Sequence, residues 1–489
     1  MQSRHLVAAL ALTLVLAGAG VNTPFERDFE DATLRIDYFH VGNAFQEFVS
    51  IDRVLRQGVW AGSRTRLEDP FEYGGYFVEA RDAESGDLLY SRGFDSYFGE
   101  YRTTDPATEG TLRTYHETVL LPYPKRPILV VFTARRNDGT ILPLTETTID
   151  PASLEITTEP PRQGAQVVEA HIGGPPHRVL DIAILGEGYT AGETDVFVRD
   201  LTWATETLLA LEPFASRRDH LSVRGVLSPS NQGGCDEPTR GSYRDTTLGA
   251  SFNALGSERY LLTENNRDLR DIAANVPYDA LIIMINHDRY GGGGIYNLFC
   301  TFTSHSDWAG YLLLHEFGHS FGGLADEYYS SSTAYNDFYP RGREPVQPNI
   351  TALLDPADLK WKDLVAPGTA LPTPWEKEAY DTADAAYQKE RAALNEAIAE
   401  ATRSGAPEEK IRELTNNEIE HAAAHALWSH EYLSKSAFSG VVGAFEGAGY
   451  SSTGLFRSEL DCLMFSRRVQ PYCRVCERAV ATRIDSFAE

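Results

Sequence analysis

The stretch LLLHEFGHSFGGLADEYY, residues 312–329, holds the densest chemistry in the chain. His315 and His319 are four residues apart. On a helix, that spacing projects both imidazoles from one face, one turn apart. Two imidazoles so placed can bind one zinc ion at about 2.0–2.1 Å. Glu316 follows His315 directly, about 100° around the helix. There it can flank the metal without binding it. It would take a proton from zinc-bound water and later pass it to a leaving amine. The plainer reading is a helix with two satisfied surface histidines, which the apolar face of WAGYLLLHEFGHSF disfavours.

A catalytic zinc takes a third protein ligand. Ten residues beyond His315 stands Ala325, which has no lone pair to give. Asp326 comes one position later, after Gly322-Gly323, where the chain can turn back. A carboxylate oxygen binds zinc at about 2.0–2.2 Å, so Asp326 is the first choice. Glu327 and a glutamate on a later helix are the alternatives. Asp326 could instead cap the helix or orient a ligand.

Several elements must position this group. Ser306-Asp307 can cap the helix that carries it. Upstream, YGGGGIYNLFCTFTS predicts a glycine turn at 291–294 and a strand over 295–302. Gly294, Ile295 and Asn297 are candidates to bind an extended peptide by strand addition, against the plainer reading of a hairpin loop. Downstream, Met464 in ELDCLMFSRR is a candidate Met-turn. Metzincin-type peptidases place such a soft thioether beneath the zinc ligands. Tyr450 in EGAGY is a candidate to stabilise an oxyanion.

The chain has five cysteines. Cys462, Cys473 and Cys476 cluster around the expected Met-turn. Their number excludes a four-thiolate zinc site. A disulfide pinning the turn is the favoured reading, over a second metal site that borrows another residue. Cys235 and Cys300 could pair in the catalytic region.

With 489 residues, the chain is too long for one ordinary core. Residues 1–20 read as a signal peptide, with Arg4 before a short apolar run and Ala17-Gly18-Ala19 as a cleavage site. That predicts a secreted or periplasmic protein, not integral to the membrane once the signal is removed. Residues 24–156 show short alternating runs and turns, the pattern of a β-sandwich of about seven strands. Residues 157–170 read as a linker and 171–489 as the catalytic domain. VLDIAILG (179–186) and ALIIMINH (280–287) are continuous apolar runs, as in strands covered on both faces. Residues 375–433 predict a helical hairpin inserted in that domain. His421 and His425, four apart on it, read as a packed or solvated face rather than a metal site.

The expected fold is therefore α+β and multidomain. An N-terminal β-sandwich precedes a mixed α/β, metzincin-like zinc peptidase domain with a helical-hairpin insertion. A net charge of -26 argues against nucleic acid and anionic membranes as partners. A protein or peptide is the expected substrate.

LDIAILGEGYTAGE, DTTLGASFN, NHDRYGGGG, HEFGHSFGGLADEY, AFEGAGYSSTGLFRSELDCLM and YCRVC occur in this order. Together, over roughly residues 179–480, they resemble the IgA-peptidase-like family of secreted bacterial zinc metallopeptidases, metallopeptidase family 64. The β-rich segment before them is similar to that family's N-terminal domain. The resemblance implies a zinc endopeptidase with His315 and His319 as ligands and Glu316 as acid/base. It also implies Asp326 as third ligand, in an HExxHxxGxxxDE arrangement. Cleavage of immunoglobulin A belongs to the founding member and is not carried over. Two other classes stand beside this one: a zinc amidase acting on cell-wall peptides, and a non-catalytic zinc-containing binding or adhesion protein. An intact Glu316 argues against the last, because a structural zinc needs no such acid.

Overall fold

The computed structural model describes residues 24–160, 164–330 and 339–488; the expected signal peptide lies outside them. The first part of the chain contains β1 (Phe29–Gly42), β2 (Glu47–Gln57), β3 (Tyr76–Asp82), β4 (Leu88–Phe94), β5 (Arg113–Pro124), β6 (Ile128–Arg135) and β7 (Ile141–Ile149). Three short helices accompany them: α1 (Pro24–Asp28), α2 (Tyr97–Tyr101) and α3 (Asp105–Thr108). The strands form two antiparallel sheets, β2-β1-β5 and β4-β3-β6-β7. Strands β3 and β6 alternate between buried and half-buried residues, so one face of each is covered. The covered faces meet where Tyr38 packs edge-on against Phe132, ring centroids 5.0 Å apart.

A six-stranded sheet follows, built from β8 (Gln166–Ile172), β9 (Leu180–Glu187), β10 (Leu221–Leu227), β11 (Ala280–Ile285), β12 (Gly292–Ile295) and β13 (Phe299–Thr303). Its order is β12-β13-β11-β9-β10-β8. The four inner strands are parallel, and the two edge strands run antiparallel to their neighbours. Every residue of β9 and β10 is buried, which explains their near-continuous apolar sequence.

Helices α4 (Thr194–Leu209), α5 (Asn266–Ala273), α6 (Ala309–Ser320) and α9 (Arg474–Phe487) flank this sheet, and α7 (Lys377–Arg403) and α8 (Glu408–Ser434) form a hairpin. In the hairpin, Arg391 pairs with Glu418 and Tyr380 with Ser429, so the helices run antiparallel. A small sheet, β14 (Ile350–Thr351), β15 (Phe445–Ala448) and β16 (Ser451–Arg457), has the order β14-β16-β15. The chain is thus a mixed assembly of several sheets and helices, as an α+β chain requires.

Side-chain alternation in β9 sorts the two halves of the core. Ile182 and Ile184 face α4 and α6, whereas Ala183 and Leu185 join α5 and the N-terminal sheets. The N-terminal sheets therefore share an apolar core with the central one. The buried Arg35 adds a polar tie, bonding Asp37 at 2.7 Å and Asp271 of α5 at 2.6 Å.

Three local expectations change. Residues 166–170 of the expected linker belong to β8, paired with β10. Val168 and Ala170 pack on the core while Val167 is exposed, an alternation masked by the adjoining Pro-rich segment. The strand expected at 295–302 is a hairpin, in which the glycine run is itself the edge strand β12. Those glycines pass between Tyr260 and the backbone of α6, where side chains have no room. Finally, α6 starts at Ala309 with Trp308 as its N-cap; Ser306 instead closes the preceding turn, its carbonyl accepting the Ala309 N–H at 2.9 Å.

Candidate metal centre

Helix α6 ends just beyond the motif. Gly323 adopts φ +64, a left-handed conformation that costs glycine little. The N–H groups of Gly323 and Leu324 bond the carbonyls of His319 and Gly318 at 3.1 Å each. The chain then turns back along the helix, and Asp326 arrives opposite the two histidines.

Three ligand-type atoms converge there. Nε2 of His315 and Nε2 of His319 are 3.1 Å apart. Asp326 Oδ1 is 3.0 Å from the first and 3.2 Å from the second. A tetrahedral zinc separates its ligand atoms by about 3.3 Å, so the triangle has the size such an ion needs. Asp326 is 4% exposed, yet Oδ1 has no hydrogen-bond partner. A buried carboxylate oxygen so placed is costly unless a cation satisfies it.

The surroundings set the tautomers. His319 Nδ1–H donates to the Leu324 carbonyl at 2.7 Å. His315 Nδ1–H faces the Leu463 carbonyl at 3.2 Å, with the Tyr311 hydroxyl at the same distance. A carbonyl oxygen can only accept, so both Nε2 atoms keep their lone pairs for a metal. Glu316 lines the same cleft without joining the triangle. Desolvation pushes its carboxyl above the usual value, Asp326 adds to this, and His315, His319 and Arg259 oppose it.

Met464 is fully buried in the turn that Cys462 and Phe465 close by a 2.9 Å backbone bond. A Cβ on Gly318 would come 2.9 Å from its sulfur, so the thioether packs directly on the motif. Tyr450 lines the same cleft as the ligands. Its hydroxyl donates to Asp326 Oδ2, the oxygen turned away from the histidines. It is therefore placed to orient the carboxylate. Its own φ of 62 is left-handed.

A model of the family described as IgA Peptidase M64 matches residues 168–484, and one of the Peptidase M64 N-terminus matches residues 24–143. The chain belongs to the IgA peptidase M64 family. No curated protein matches it.

In this family member the cleft over the three ligands has walls from both parts of the chain. Gly292 and Gly294 of β12 line it beside Glu316, and Arg259 and Tyr328 line it too. Ile295, also on β12, is buried. Asn297 is not on the strand. It occupies the hairpin turn with φ 55, its amide donates to Gly93 at 2.7 Å, and Arg92 and Arg483 bond its oxygen. It fastens the N-terminal sheets to the hairpin instead of facing a substrate.

Tyr73, Asp95 and Glu100, all from the N-terminal part, also reach the cleft. The Asp95 N–H bonds the Tyr296 carbonyl at 2.9 Å. Nothing in their sequence neighbourhood signals this, because the contact depends on how the two parts pack. Arg259 was equally illegible, sitting in a loop without periodicity. That loop is organised from below by Glu187, fully buried, which accepts from Thr246, Leu248 and Ala250 at 2.7–2.9 Å. His421 and His425 do not converge on a common site: they pair with Glu390 and Asp384 and stack on Tyr387.

Proposed function

We propose that this chain is a secreted, zinc-dependent endopeptidase that hydrolyses peptide bonds of proteins. The observation that carries the reading is the buried triangle of His315, His319 and Asp326 beside an acid, Glu316, at the floor of an open cleft. Membership of a peptidase family supports it, and so does the edge position of β12.

His315, His319 and Asp326 would hold the zinc, and Tyr450 would keep Asp326 turned toward it. A bound zinc ion supplies Lewis acidity, polarising the scissile carbonyl and acidifying a water. Glu316 takes the proton of the attacking water and delivers it to the leaving nitrogen. Strand β12, through Gly294, offers backbone groups along which an extended peptide can lie. Arg259 supplies positive charge within the cleft, of the sign that stabilises negative charge developing on the carbonyl oxygen. Export rests on the apolar segment within residues 1–20; among the described residues no helix is long and apolar enough to cross a membrane.

The test is cleavage of a mixed peptide library, with cell-wall peptides as a second panel. Wild type should cut internal bonds of ordinary peptides, and Glu316→Gln should retain zinc but lose cutting. Equal cleavage by both proteins would sink the mechanism, and cleavage confined to the cell-wall panel would favour an amidase.

A further inference from the structure

A second cluster lies below the first. The sulfurs of Cys462, Cys473 and Cys476 and a carboxylate oxygen of Glu327 all fall within 4.8 Å of one another, and all four residues are buried. None of the three cysteines is in a disulfide, contrary to the expectation of a bridge pinning the turn. Glu327 Oε1 lies 3.2 Å from Cys476 Sγ and 3.7 Å from Cys473 Sγ. Glu327 Oε2 is buried without any hydrogen-bond partner, although its residue is 0% exposed.

We propose that Cys462, Cys473, Cys476 and Glu327 form a structural zinc site, separate from the catalytic one.

Four donors are the number a closed zinc site uses. A tetrahedral ion with Zn–S bonds of about 2.3 Å spaces its sulfurs about 3.8 Å apart, within the spread found here. Two thiols in a disulfide would approach to about 2.05 Å and leave the third thiol and the carboxylate without a partner. Thiolates with one carboxylate suit zinc better than calcium or magnesium, which prefer oxygen.

The backbone is arranged for thiolates. The N–H groups of Met464 and Cys473 point at Cys462 Sγ, at 3.5 and 3.2 Å. The Cys476 N–H points at Cys473 Sγ at 3.4 Å, and the Ser458 hydroxyl lies 3.2 Å from the same sulfur. Cys473 is also the N-cap of the 14-residue helix α9, where the helix dipole favours negative charge. Asn349 Nδ2 donates to Glu327 Oε1 at 3.2 Å and so orients the carboxylate. Ion binding would release the thiol protons to solvent, with no change of oxidation state.

The site joins three segments that build the catalytic floor. Glu327 follows Asp326 and bonds the Met464 carbonyl through its N–H at 2.9 Å. Cys462 is two residues before Met464, and Cys473 and Cys476 begin α9. A metal here would hold the third catalytic ligand and the Met-turn in fixed relation.

The experiment uses the full chain purified without reductant, with bound metal counted together with free thiols after unfolding in chelator. Two zinc ions per chain and all five thiols are expected. The double variant His315→Ala/His319→Ala should keep one zinc. Its cobalt-substituted form should show thiolate-to-cobalt charge-transfer absorption, which a nitrogen- and oxygen-only site lacks. Cobalt-loaded wild type should show the same band, which keeps the test valid if the variant misfolds. A disulfide located by peptide mapping among Cys462, Cys473 and Cys476, or the absence of that band in cobalt-loaded wild type, would overturn the site. Neither result bears on the peptidase reading, which is scored by cleavage.

Discussion

Asp326 and Glu327 are adjacent in the chain, yet their carboxylates belong to different clusters. Asp326 Oδ1 lies 3.0 Å from His315 Nε2, and Glu327 Oε1 lies 3.2 Å from Cys476 Sγ. The segment that carries them is neither helix nor strand, and its two carboxylates reach different ligand groups. One short piece of backbone thereby serves the reacting site and the scaffold beneath it.

That division predicts different losses from neighbouring substitutions. Asp326→Ala should lower affinity for the catalytic zinc by at least about 100-fold, more than loss of an outer partner does. Stability should change little. Glu327→Gln should instead destabilise the fold and lower total zinc. Isothermal metal titration and thermal unfolding of both variants check this; identical profiles for the two would contradict the assignment.

Tyr450→Phe tests the tyrosine's role. Without its hydroxyl, Asp326 loses an orienting hydrogen bond, and zinc affinity should fall about 10–100-fold. At saturating zinc, kcat should stay near wild type. A large fall in kcat at full zinc occupancy would favour the oxyanion role read from the sequence.

Gly294 lies against the carbonyl of Glu316, and a Cβ there would meet backbone. Gly294→Ala should therefore shift β12 against α6 and reduce both cleavage and stability. Unchanged cleavage of long peptides would show that the strand does not seat the substrate.

The N-terminal sheets carry a pH-dependent cluster. His40, 1% exposed, lies 3.1 Å from both Glu47 and Glu117 and stacks on Phe98. Burial works against its charge, but the two glutamates raise it above 6.5. Its contribution is complete below about pH 6.5 and is lost as pH rises through the raised folded value. Burial also opposes the Glu47 charge, yet His40, Arg102 and Arg136 bring Glu47 down to about 2. That contribution is present above its unfolded value and lost as pH falls toward 2. Stability of this part should peak between these limits, and His40→Leu should cost about 3 kcal/mol by leaving buried carboxylates underpaired. Denaturant unfolding across pH 2–9 measures both effects; a profile identical to wild type in His40→Leu would refute them.

The legible features share a cause. Helix α6 could be read because its histidines, glutamate and apolar residues follow helical spacing, and the buried strands because their apolar runs are continuous. Asp326 could be read because the glycines before it mark a reversal. The illegible features depend on distant packing. Tyr450 is 124 residues from the Asp326 it orients. The three cysteines find their fourth partner in Glu327, more than 130 residues upstream. The glycine edge strand has no side chains to announce a period of two. Asp95 and Glu100 reach the cleft only because the N-terminal sheets share a core with the central one.

The central claim is that His315, His319 and Asp326 hold a zinc ion that peptide cleavage requires. Its most direct test is removal of that zinc with a chelator, followed by titration of zinc back into the protein while cleavage of a peptide is followed. Cleavage should vanish on removal and return in step with zinc in wild type, and should not return in Asp326→Ala at the same zinc concentration. Full cleavage by chelated wild type in which no bound zinc remains would contradict the account.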